Sequence, residues 1–516
     1  MNDPDGCDIK TNTGVTGSDD AGSFNGKYGD CSPNEIVGSI INKNGDGSPA
    51  NDSSVARDEK TDVSDFSKGP VWRIILRLAL PITFAYLTNF LYNVVNRIWL
   101  GRWNNEGPMA LAGVGLAFPI IAVITAFTSF ASTGSVPLFN IARGSGDREK
   151  AGRIMGNAFA SLLCLAVALT AAGLIFRRPI LFFVGASADT IVYAEAYLSI
   201  YLLGTLFSMC GLGMNGFINA QGYGRVGMMT MVLGAVVNLI LARLFIFNLG
   251  LGVRGAALAT VVAQACSAVW AISFLCGRKV TIPIRRAWMK PDFFILRRSF
   301  ALGTAGFTMA MTNSIVVAVY NMSLRNLGGD LYISAMVIIY SIQEMVALPG
   351  QGISQGAQPV MSYNYGAGRN DRVRQAMRFI TVAVLAVFIA LWAVVMLFPG
   401  ALIRVFSDDA ELVDIGIKAV RAYFMVFFLM AFQVLGQAGF VSLGLTKYAV
   451  FFSVLRKGVI VSPFILIIGY ALNFGAQGVF YAEPISHVFG SVTCYVVFML
   501  AIYRKRLGAK PPDHII

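Results

Sequence analysis

Long apolar stretches separated by short polar segments follow one another from about residue 70 to residue 506. Each stretch is long enough to cross a hydrocarbon core of about 30 Å as a helix. Strands of a membrane barrel alternate between apolar and polar positions and are about half as long, so a barrel is excluded. The pattern predicts an all-α polytopic membrane protein with twelve transmembrane helices. The predicted spans lie near residues 74–100, 109–142, 154–176, 190–219, 228–248, 255–276, 295–321, 331–364, 375–398, 415–443, 448–471 and 478–503.

The pattern also repeats within the chain. An apolar stretch that is interrupted by glycine and proline, and followed by a short basic loop, occurs at residues 134–150 and again at residues 356–374. The motif residues are Gly134, Pro137 and Gly144 and, 222 positions later, Gly356, Pro359 and Gly366, with Tyr363 and Asn364 in the second copy. Equivalent points lie six spans apart, an even number, so the two halves have the same orientation in the membrane. This predicts two parallel six-helix repeats around a central cleft, and alternating access by rocking of the two halves.

Composition divides the chain into five segments. Residues 1–68 are polar and hold 13 acidic against 6 basic residues, which predicts a disordered acidic cytosolic tail. The other predicted segments are an N-terminal six-helix lobe at 69–276, a basic cytosolic connector at 277–298, a C-terminal six-helix lobe at 299–506 and a cytosolic tail at 507–516.

The basic residues of the loops predict the orientation in the membrane. The loops after the second, sixth, eighth and twelfth spans are rich in Lys and Arg, whereas the loop between the eleventh and twelfth has none. By the positive-inside rule, both termini are cytosolic, and we expect a multi-pass protein of the plasma membrane. The net charge of +13 is therefore a signal of topology, and no nucleic-acid partner is expected.

Several motifs, in the same order along the chain, carry a family resemblance. They are Leu80-Pro81, Tyr92–Gly101, Gly252–Thr260, Gly352–Pro359, Tyr363–Ala367 and Tyr481–Ile485. With these motifs, the chain from about residue 70 to 506 resembles the multidrug and toxic compound extrusion (MATE) transporters, and looks closest to their DinF/MepA-like branch. The resemblance implies twelve helices in two lobes and the cation-coupled export of amphipathic, often cationic, organic compounds.

Two sites depart from the family's pattern. Asn96 stands where the family usually has an aspartate in the first span, and Ala242 and Arg243 stand where the fifth span usually has Asp-Pro. The resemblance therefore implies that ion coupling is shifted to the C-terminal lobe. Asn96 and Arg243 are still expected to face the substrate cleft, where Arg243 would act as an internal counter-charge unless it snorkels from the end of its span.

Three carboxylates outside the tail lie within apolar stretches, namely Glu195, Glu344 and Glu483. A charge at membrane depth usually faces a cavity or a partner and marks a transport pathway. Glu344 lies deepest in its stretch, and a carboxyl there can take up a proton when desolvated and release it when water or a cationic substrate arrives. We predict that Glu344, Glu483 and His487, one helical turn after Glu483, couple transport to H⁺ or Na⁺.

Each of these residues also has a structural interpretation. Glu344 would then be permanently protonated or paired with an arginine, Glu483 would cap the helix break at Pro484, and His487 would be a hydrogen-bonded packing residue. For Glu195 we favour snorkelling to the membrane surface. Gln343, Gln351 and Gln355 are predicted to offer neutral hydrogen-bonding groups to the substrate cleft, unless they satisfy backbone groups freed at the glycine and proline breaks.

The sequence does not support an enzyme. It has no phosphate-binding loop, no metal-ligand cluster and two histidines in all, so no cofactor is expected besides the coupling ion. We predict a monomeric secondary antiporter for multidrug efflux, whose partners are small organic substrates and membrane lipid. Two alternatives stay open: a flippase for lipid-linked precursors from the same superfamily, and a transport-inactive relative that serves as a sensor or assembly partner. A flippase would need a cleft rich in Arg and Lys, and the first, second, seventh and eighth spans have almost none.

Overall fold

The computed structural model describes residues 65–101, 107–184, 190–406 and 409–503. The predicted all-α fold is confirmed, since these residues form helices and no strand. Ten helices are long and apolar enough to cross a membrane, and two bent helix pairs bring the number to as many as twelve. Most of the predicted acidic tail (1–68) and all of the C-terminal segment (507–516) lie outside the described residues.

In the first half of the chain, six spans follow one another. Their helices are α1 (Val71–Gly101), α2 (Gly107–Gly144), α3 (Arg148–Val184), α4 (Ile191–Leu203), α5 (Thr205–Ala220), α6 (Gly224–Arg243) and α7 (Gly252–Cys276). The α4–α5 pair is bent by 56°. At this bend, Gly204 packs against the side chain of Val261 on α7 so closely that a Cβ would not fit. The helix pair is therefore bent at the position where α7 packs closely against it.

The second half repeats this order with more irregular helices. These are α8 (Phe293–Gly328), α9 (Asp330–Gly366), α10 (Asn370–Leu397), α11 (Pro399–Arg404), α12 (Ala410–Phe424), α13 (Met430–Ser442), α14 (Thr446–Ser453), α15 (Ser462–Leu466), α16 (Gly475–Val479), α17 (Ala482–Ser486) and α18 (Val492–Val497). The bent pair of this half comprises Ala410–Phe424 and Phe427–Ser442. In the last two spans, π-helical turns replace α-helix at Val454–Val461, Ile467–Ala471, His487–Ser491 and Phe498–Tyr503. Such turns shift the side chains that follow them around the helix axis, and they are frequent at functional sites.

Two hydrophobic cores lie within the two lobes. One is formed mainly by α2, α3, α4, α5 and α7, with Phe139 and Phe217 at its centre. The other is formed mainly by α8, α9, α10, α12, α13 and the last two spans, with Phe388 and Phe424 among its buried rings. The beginning of α1 contributes Ile75 to this second core, although α1 lies in the first half of the sequence.

The first two helices of each half pack mainly on helices of the other half. α1 packs most extensively on α9, and α2 packs most extensively on α8. Backbone meets backbone where α2 and α8 cross, because a Cβ on Gly134 would collide with the carbonyl of Ser299 and one on Gly303 with that of Phe130. These crossings hold the lobes together at the end of the molecule where α1 and α8 begin and α2 and α9 end.

The connector between the halves packs on α3. Asn157 donates from Nδ2 to the carbonyl oxygens of Trp288 (3.4 Å) and Lys290 (3.2 Å), and its Oδ1 accepts from the backbone N–H of Asp292 at 2.7 Å. The carboxylate of Asp292 caps α8 by accepting from the backbone N–H of Phe294 at 2.9 Å. α8 therefore begins six residues before the boundary that composition predicted at residue 299.

Candidate functional site

A cavity of about 230 Å³ lies between the two lobes, close to the end where they meet. Its walls come from α1, α2, α5 and α6 of the first lobe and α9 of the second. The equivalent prolines of the repeat, Pro137 and Pro359, both line it, and Met228 and Met231 form an apolar side. Five amide side chains also face it: Asn140, Asn215, Asn219, Gln355 and Gln358. The cavity is large enough to hold several water molecules.

The asparagines of this cavity are incompletely hydrogen-bonded. Asn140 is fully buried, and neither its Nδ2 nor its Oδ1 has a partner among the described residues. The Oδ1 atoms of Asn215 and Asn219 likewise have no partner within the described part of the chain. A buried amide left in this state costs about 1–3 kcal/mol, so the cavity is suited to a ligand or to water that both donates and accepts hydrogen bonds.

A polar face of α9 leads away from this cavity. Gln355 lines the cavity, Gln351 lies one turn before it, and Glu344 lies two turns before Gln351 on the same side of the helix. All three side chains are exposed. We call Glu344, Gln351 and Gln355 the polar face of α9.

Gln343 is not part of this face and points towards α12. Its Oε1 accepts a hydrogen bond from the hydroxyl of Tyr423 on α12 at 2.9 Å. Its neighbour Glu344 is exposed, whereas Glu483 is fully buried. Position along an apolar stretch gives the depth in the membrane, but it does not give the side of the helix, and the side decides exposure.

In the first lobe, a chain of neutral groups occupies the two sites that depart from the family pattern. Asn96 donates from Nδ2 to Oδ1 of Asn238 at 2.6 Å, and Asn238 donates from Nδ2 to the hydroxyl of Thr260 at 3.2 Å. Ala242 is buried beside them and Arg243 is exposed at the end of α6. Arg243 is not among the residues that line the cavity. Asn96, which stands where the family pattern has a carboxylate, is therefore held in a chain of two amides and a hydroxyl, and Ala242 takes no part in it.

In the second lobe, four residues form a charge cluster, in which Arg456, Glu483 and His487 are buried and the side chain of Lys457 is 14% exposed. Oε1 of Glu483 lies 3.0 Å from Nζ of Lys457 and 3.4 Å from Nη1 of Arg456. Arg456 also lies 2.9 Å from Nδ1 of His487. Because a guanidinium only donates, Nδ1 of His487 is the acceptor, and a neutral imidazole carries its proton on Nε2, 3.8 Å from Oε1 of Glu483.

The two bases of this cluster, Arg456 and Lys457, were not among the predicted site residues. They lie side by side in the apolar stretch 448–471, where a base, like an acid, marks a pathway or a paired charge. They also change the picture of Glu483. Its carboxylate pairs with bases of the preceding span and does not cap the break at Pro484.

Glu195 differs from its expected role as a snorkelling residue. Its carboxylate accepts from Nε of Arg177 and from Nε of Arg178, each at 2.8 Å, and its side chain is 18% exposed. It therefore joins α4 to the end of α3 as a paired charge. The adjacent arginines at 177–178, directly after the third apolar stretch (154–176), were the available sequence signal.

A family model described as MatE matches residues 81–244 and 305–467, one segment in each repeat. The chain is also similar to the multidrug export protein MepA of Staphylococcus haemolyticus, with 23% identity over 446 residues that cover 86% of this chain and 95% of the relative. The MepA of Staphylococcus aureus (strain NCTC 8325 / PS 47) is 23% identical over 447 residues, with the same coverage.

Solved structures share the fold. A multidrug resistance MATE family transporter of the MOP superfamily, solved in an outward-facing conformation, superposes with a TM-score of 0.81 at 22% identity. The superposition covers 88% of this chain and 99% of the chain of that transporter. A MOP superfamily transporter from Pyrococcus furiosus gives the same TM-score, identity and coverage. At this level of identity, the likeness establishes the architecture.

Proposed function

The chain belongs to the MatE family of multi-pass membrane transporters, and from this premise we propose that it exports amphipathic organic compounds, often cationic, in exchange for H⁺ or Na⁺. The family consists of transporters and not of enzymes. The MepA relatives, which are multidrug export proteins, support this substrate class. The matched region covers 95% of the length of these relatives.

The observation that carries the proposal is the continuity between the cavity and the polar face of α9. Gln355 belongs to both, and it connects the incompletely hydrogen-bonded amides of the first lobe with Glu344 of the second. No acidic or basic side chain is among the described residues that line the cavity. A pocket with thioether walls and neutral amides accepts apolar bodies with scattered hydrogen-bonding groups, which describes a broad range of amphipathic compounds.

We assign ion coupling to Glu344. Its carboxylate lies on the same face of α9 as Gln355, which lines the cavity, and this position supports access for both an ion and a substrate. Neutralisation of a carboxylate by H⁺ or Na⁺ weakens its attraction for an organic cation, and the cation in turn favours loss of the proton or metal ion. Glu483 and His487 are a second candidate pair, but the pairing of Glu483 with two bases favours a structural role for them.

Exposed basic residues support an orientation of the protein in the membrane. Arg148 and Arg153 at the start of α3 and Arg374 and Arg378 at the start of α10 lie at the end where the lobes meet. We propose that this end is cytosolic and that the protein is a monomer in the plasma membrane. The structure then represents a state closed towards the cytosol, and the cycle requires this end to open.

The test is the efflux of ethidium, a fluorescent organic cation, from proteoliposomes under an imposed gradient of H⁺ or Na⁺. The unmodified protein is expected to respond to one of the two gradients, which identifies the ion. Glu344→Gln is expected to lose that response, whereas Glu411→Gln, which changes an exposed acid at the start of α12, is expected to keep it. A gradient response that survives in Glu344→Gln would move coupling to Glu483 and His487.

Absence of transport by the unmodified, folded protein would contradict the proposal and favour one of two other functions. A flippase for lipid-linked precursors would need bases in the cleft for phosphate groups, and the described lining of the cavity offers none. A transport-inactive relative would leave the unpaired amides of the cavity and the exposed Glu344 without a function.

A further inference from the structure

The segment that precedes α1, residues 65–69, is bound to the second lobe although it continues into a helix of the first half. Asn364 donates from Nδ2 to the carbonyl oxygen of Phe66 at 3.2 Å, and Arg372 donates from Nη2 to the same oxygen at 3.1 Å. Arg372 also reaches the carbonyl oxygen of Gly69 at 2.9 Å, and Arg369 that of Ser67 at 3.0 Å. We call residues 65–69 the strap.

Phe66 inserts between the lobes. Its side chain is 1% exposed and meets the ring of Tyr363 on α9 edge to face, with centroids 5.6 Å apart. The guanidinium of Arg143, at the end of α2, lies 4.8 Å from the Phe66 ring and 4.9 Å from the Tyr363 ring. Arg143 is anchored in the first lobe, because its Nη1 donates to the carbonyl oxygen of Ala220 on α5 at 2.6 Å. One contact therefore joins the strap, the first lobe and the second lobe.

Separation of the lobes at this end would break the whole group of contacts. The strap is continuous with α1, while its carbonyl groups are held by Asn364, Arg369 and Arg372 of the second lobe. Movement of the first lobe away from Tyr363 must pull the strap off these donors, or else unwind the start of α1 or bend α1, which contains Pro81. The same movement draws the guanidinium of Arg143 off both rings and exposes Phe66 to water.

We propose that the strap is a latch that holds the two lobes together at the end where they meet and sets how often that end opens. The proposal rests on the proposed function in one respect: alternating access requires the end to open.

Double electron–electron resonance between two labels tests the latch. The labels are placed at the exposed positions Arg148 and Gln375, one on each lobe at the latched end, in a chain without its native cysteines. A second pair, at the exposed positions Phe183 and Val405, reports the opposite end. Distances are measured in nanodiscs without substrate or gradient, so a failure of ethidium transport would leave this result interpretable.

Phe66→Ala is expected to increase the population with a long Arg148–Gln375 distance on the order of tenfold, because a buried ring and its cation–π contact are lost. The double variant Arg369→Gln/Arg372→Gln, which keeps Phe66, is expected to shift the population in the same direction. Lys68→Gln removes a charge from an exposed residue of the strap and is expected to leave the distances unchanged.

A latch changes the equilibrium between two arrangements of the lobes, so the Phe183–Val405 distance should change together with the first. Unchanged Arg148–Gln375 distances in both Phe66→Ala and Arg369→Gln/Arg372→Gln would overturn the proposal. Equal lengthening in Lys68→Gln would also overturn it, because the effect would then be one of surface charge.

Discussion

Gly144 lies against the backbone carbonyl of Tyr363, with no room for a Cβ between them. Gly366 lies in the same way against the carbonyl of Ile141. The two contacts are copies of one another, since Gly366 and Tyr363 each follow their counterparts, Gly144 and Ile141, by 222 positions. The duplicated glycines therefore let the ends of α2 and α9 approach each other symmetrically, backbone to backbone.

Gly144→Ala and Gly366→Ala are expected to disturb this approach to a similar degree. The added methyl group meets a carbonyl in each case, and overpacking of this kind costs about 1–3 kcal/mol. Both variants should shift the Arg148–Gln375 label distance towards the open state. Gly115→Ala is the matched control, because a Cβ there meets nothing within 4 Å. If Gly366→Ala changed the Arg148–Gln375 distance and Gly144→Ala did not, the two contacts would not be equivalent.

Asn140→Leu is expected to separate function from stability. The change removes an amide whose two polar atoms lack partners in the described structure, so the unfolding temperature should stay level or rise. Efflux of ethidium should fall, because the cavity loses a hydrogen-bonding group and gains an apolar one.

Asn157→Leu provides the comparison for Asn140→Leu. Asn157 is buried like Asn140, but its amide is bonded to the connector, so its replacement should lower the unfolding temperature. If Asn140→Leu instead destabilised the protein as much as Asn157→Leu, the amide of Asn140 would have a structural partner and the argument for a binding cavity would weaken.

Glu483→Gln is expected to destabilise the second lobe strongly. It leaves Arg456 and Lys457 buried without their carboxylate, and breaking a buried ion pair in this way typically costs about 3–5 kcal/mol. Replacement of Arg456, Lys457 and Glu483 together by methionine should recover much of this loss, because no charge is then left unpaired. Thermal unfolding of the purified protein in detergent measures both.

Transport by the stable triple variant then decides the role of the charge cluster. Ethidium efflux that still responds to the gradient would show that the cluster is structural, as we propose. Loss of the response in a folded triple variant would assign coupling to the cluster in place of Glu344.

Asn96→Asp is expected to return an ionisable group to the first lobe. A carboxylate cannot donate, so the amide of Asn238 must turn its Nδ2 towards the new carboxylate and its Oδ1 towards Thr260. In the Glu344→Gln background, this acid is expected to restore part of the gradient response. Asn96→Leu in the same background should restore none, and equal efflux by the two double variants would show that the site has no part in coupling.

The fold could be read from the sequence because apolar stretches of spanning length, and a repeat at an almost constant offset of 222 positions, specify where helices lie and which are equivalent. The bend at Gly204 could not, because it depends on the side chain of Val261 more than fifty positions away. The orientation of Glu344 and the pairing of Glu483 could not be predicted from the sequence for the same reason. Both depend on which side of a helix faces a neighbour, and in spans that are apolar all round the hydrophobic pattern does not mark that side.

Glu195 and Glu483 show a second limit. Each was weighed as an isolated acid, but each is held by two bases, Arg177 and Arg178 in one case and Arg456 and Lys457 in the other. A survey of acids and bases together would have raised the possibility of pairing, since charges at membrane depth seek partners. It would not have chosen the partners, because that requires the packing of the spans.

During synthesis, α1 leaves the ribosome more than two hundred residues before α9, the helix on which it packs most extensively. Until α9 is inserted, the beginning of α1 must rest against lipid or an insertion factor, because the core it joins has not yet been made. In the same way, α2 lacks its main packing partner until α8 has been inserted. The two repeats therefore complete their assembly together and not in the order of translation, and a chain cut after α7 would leave a half-protein with the partners of its first two helices missing.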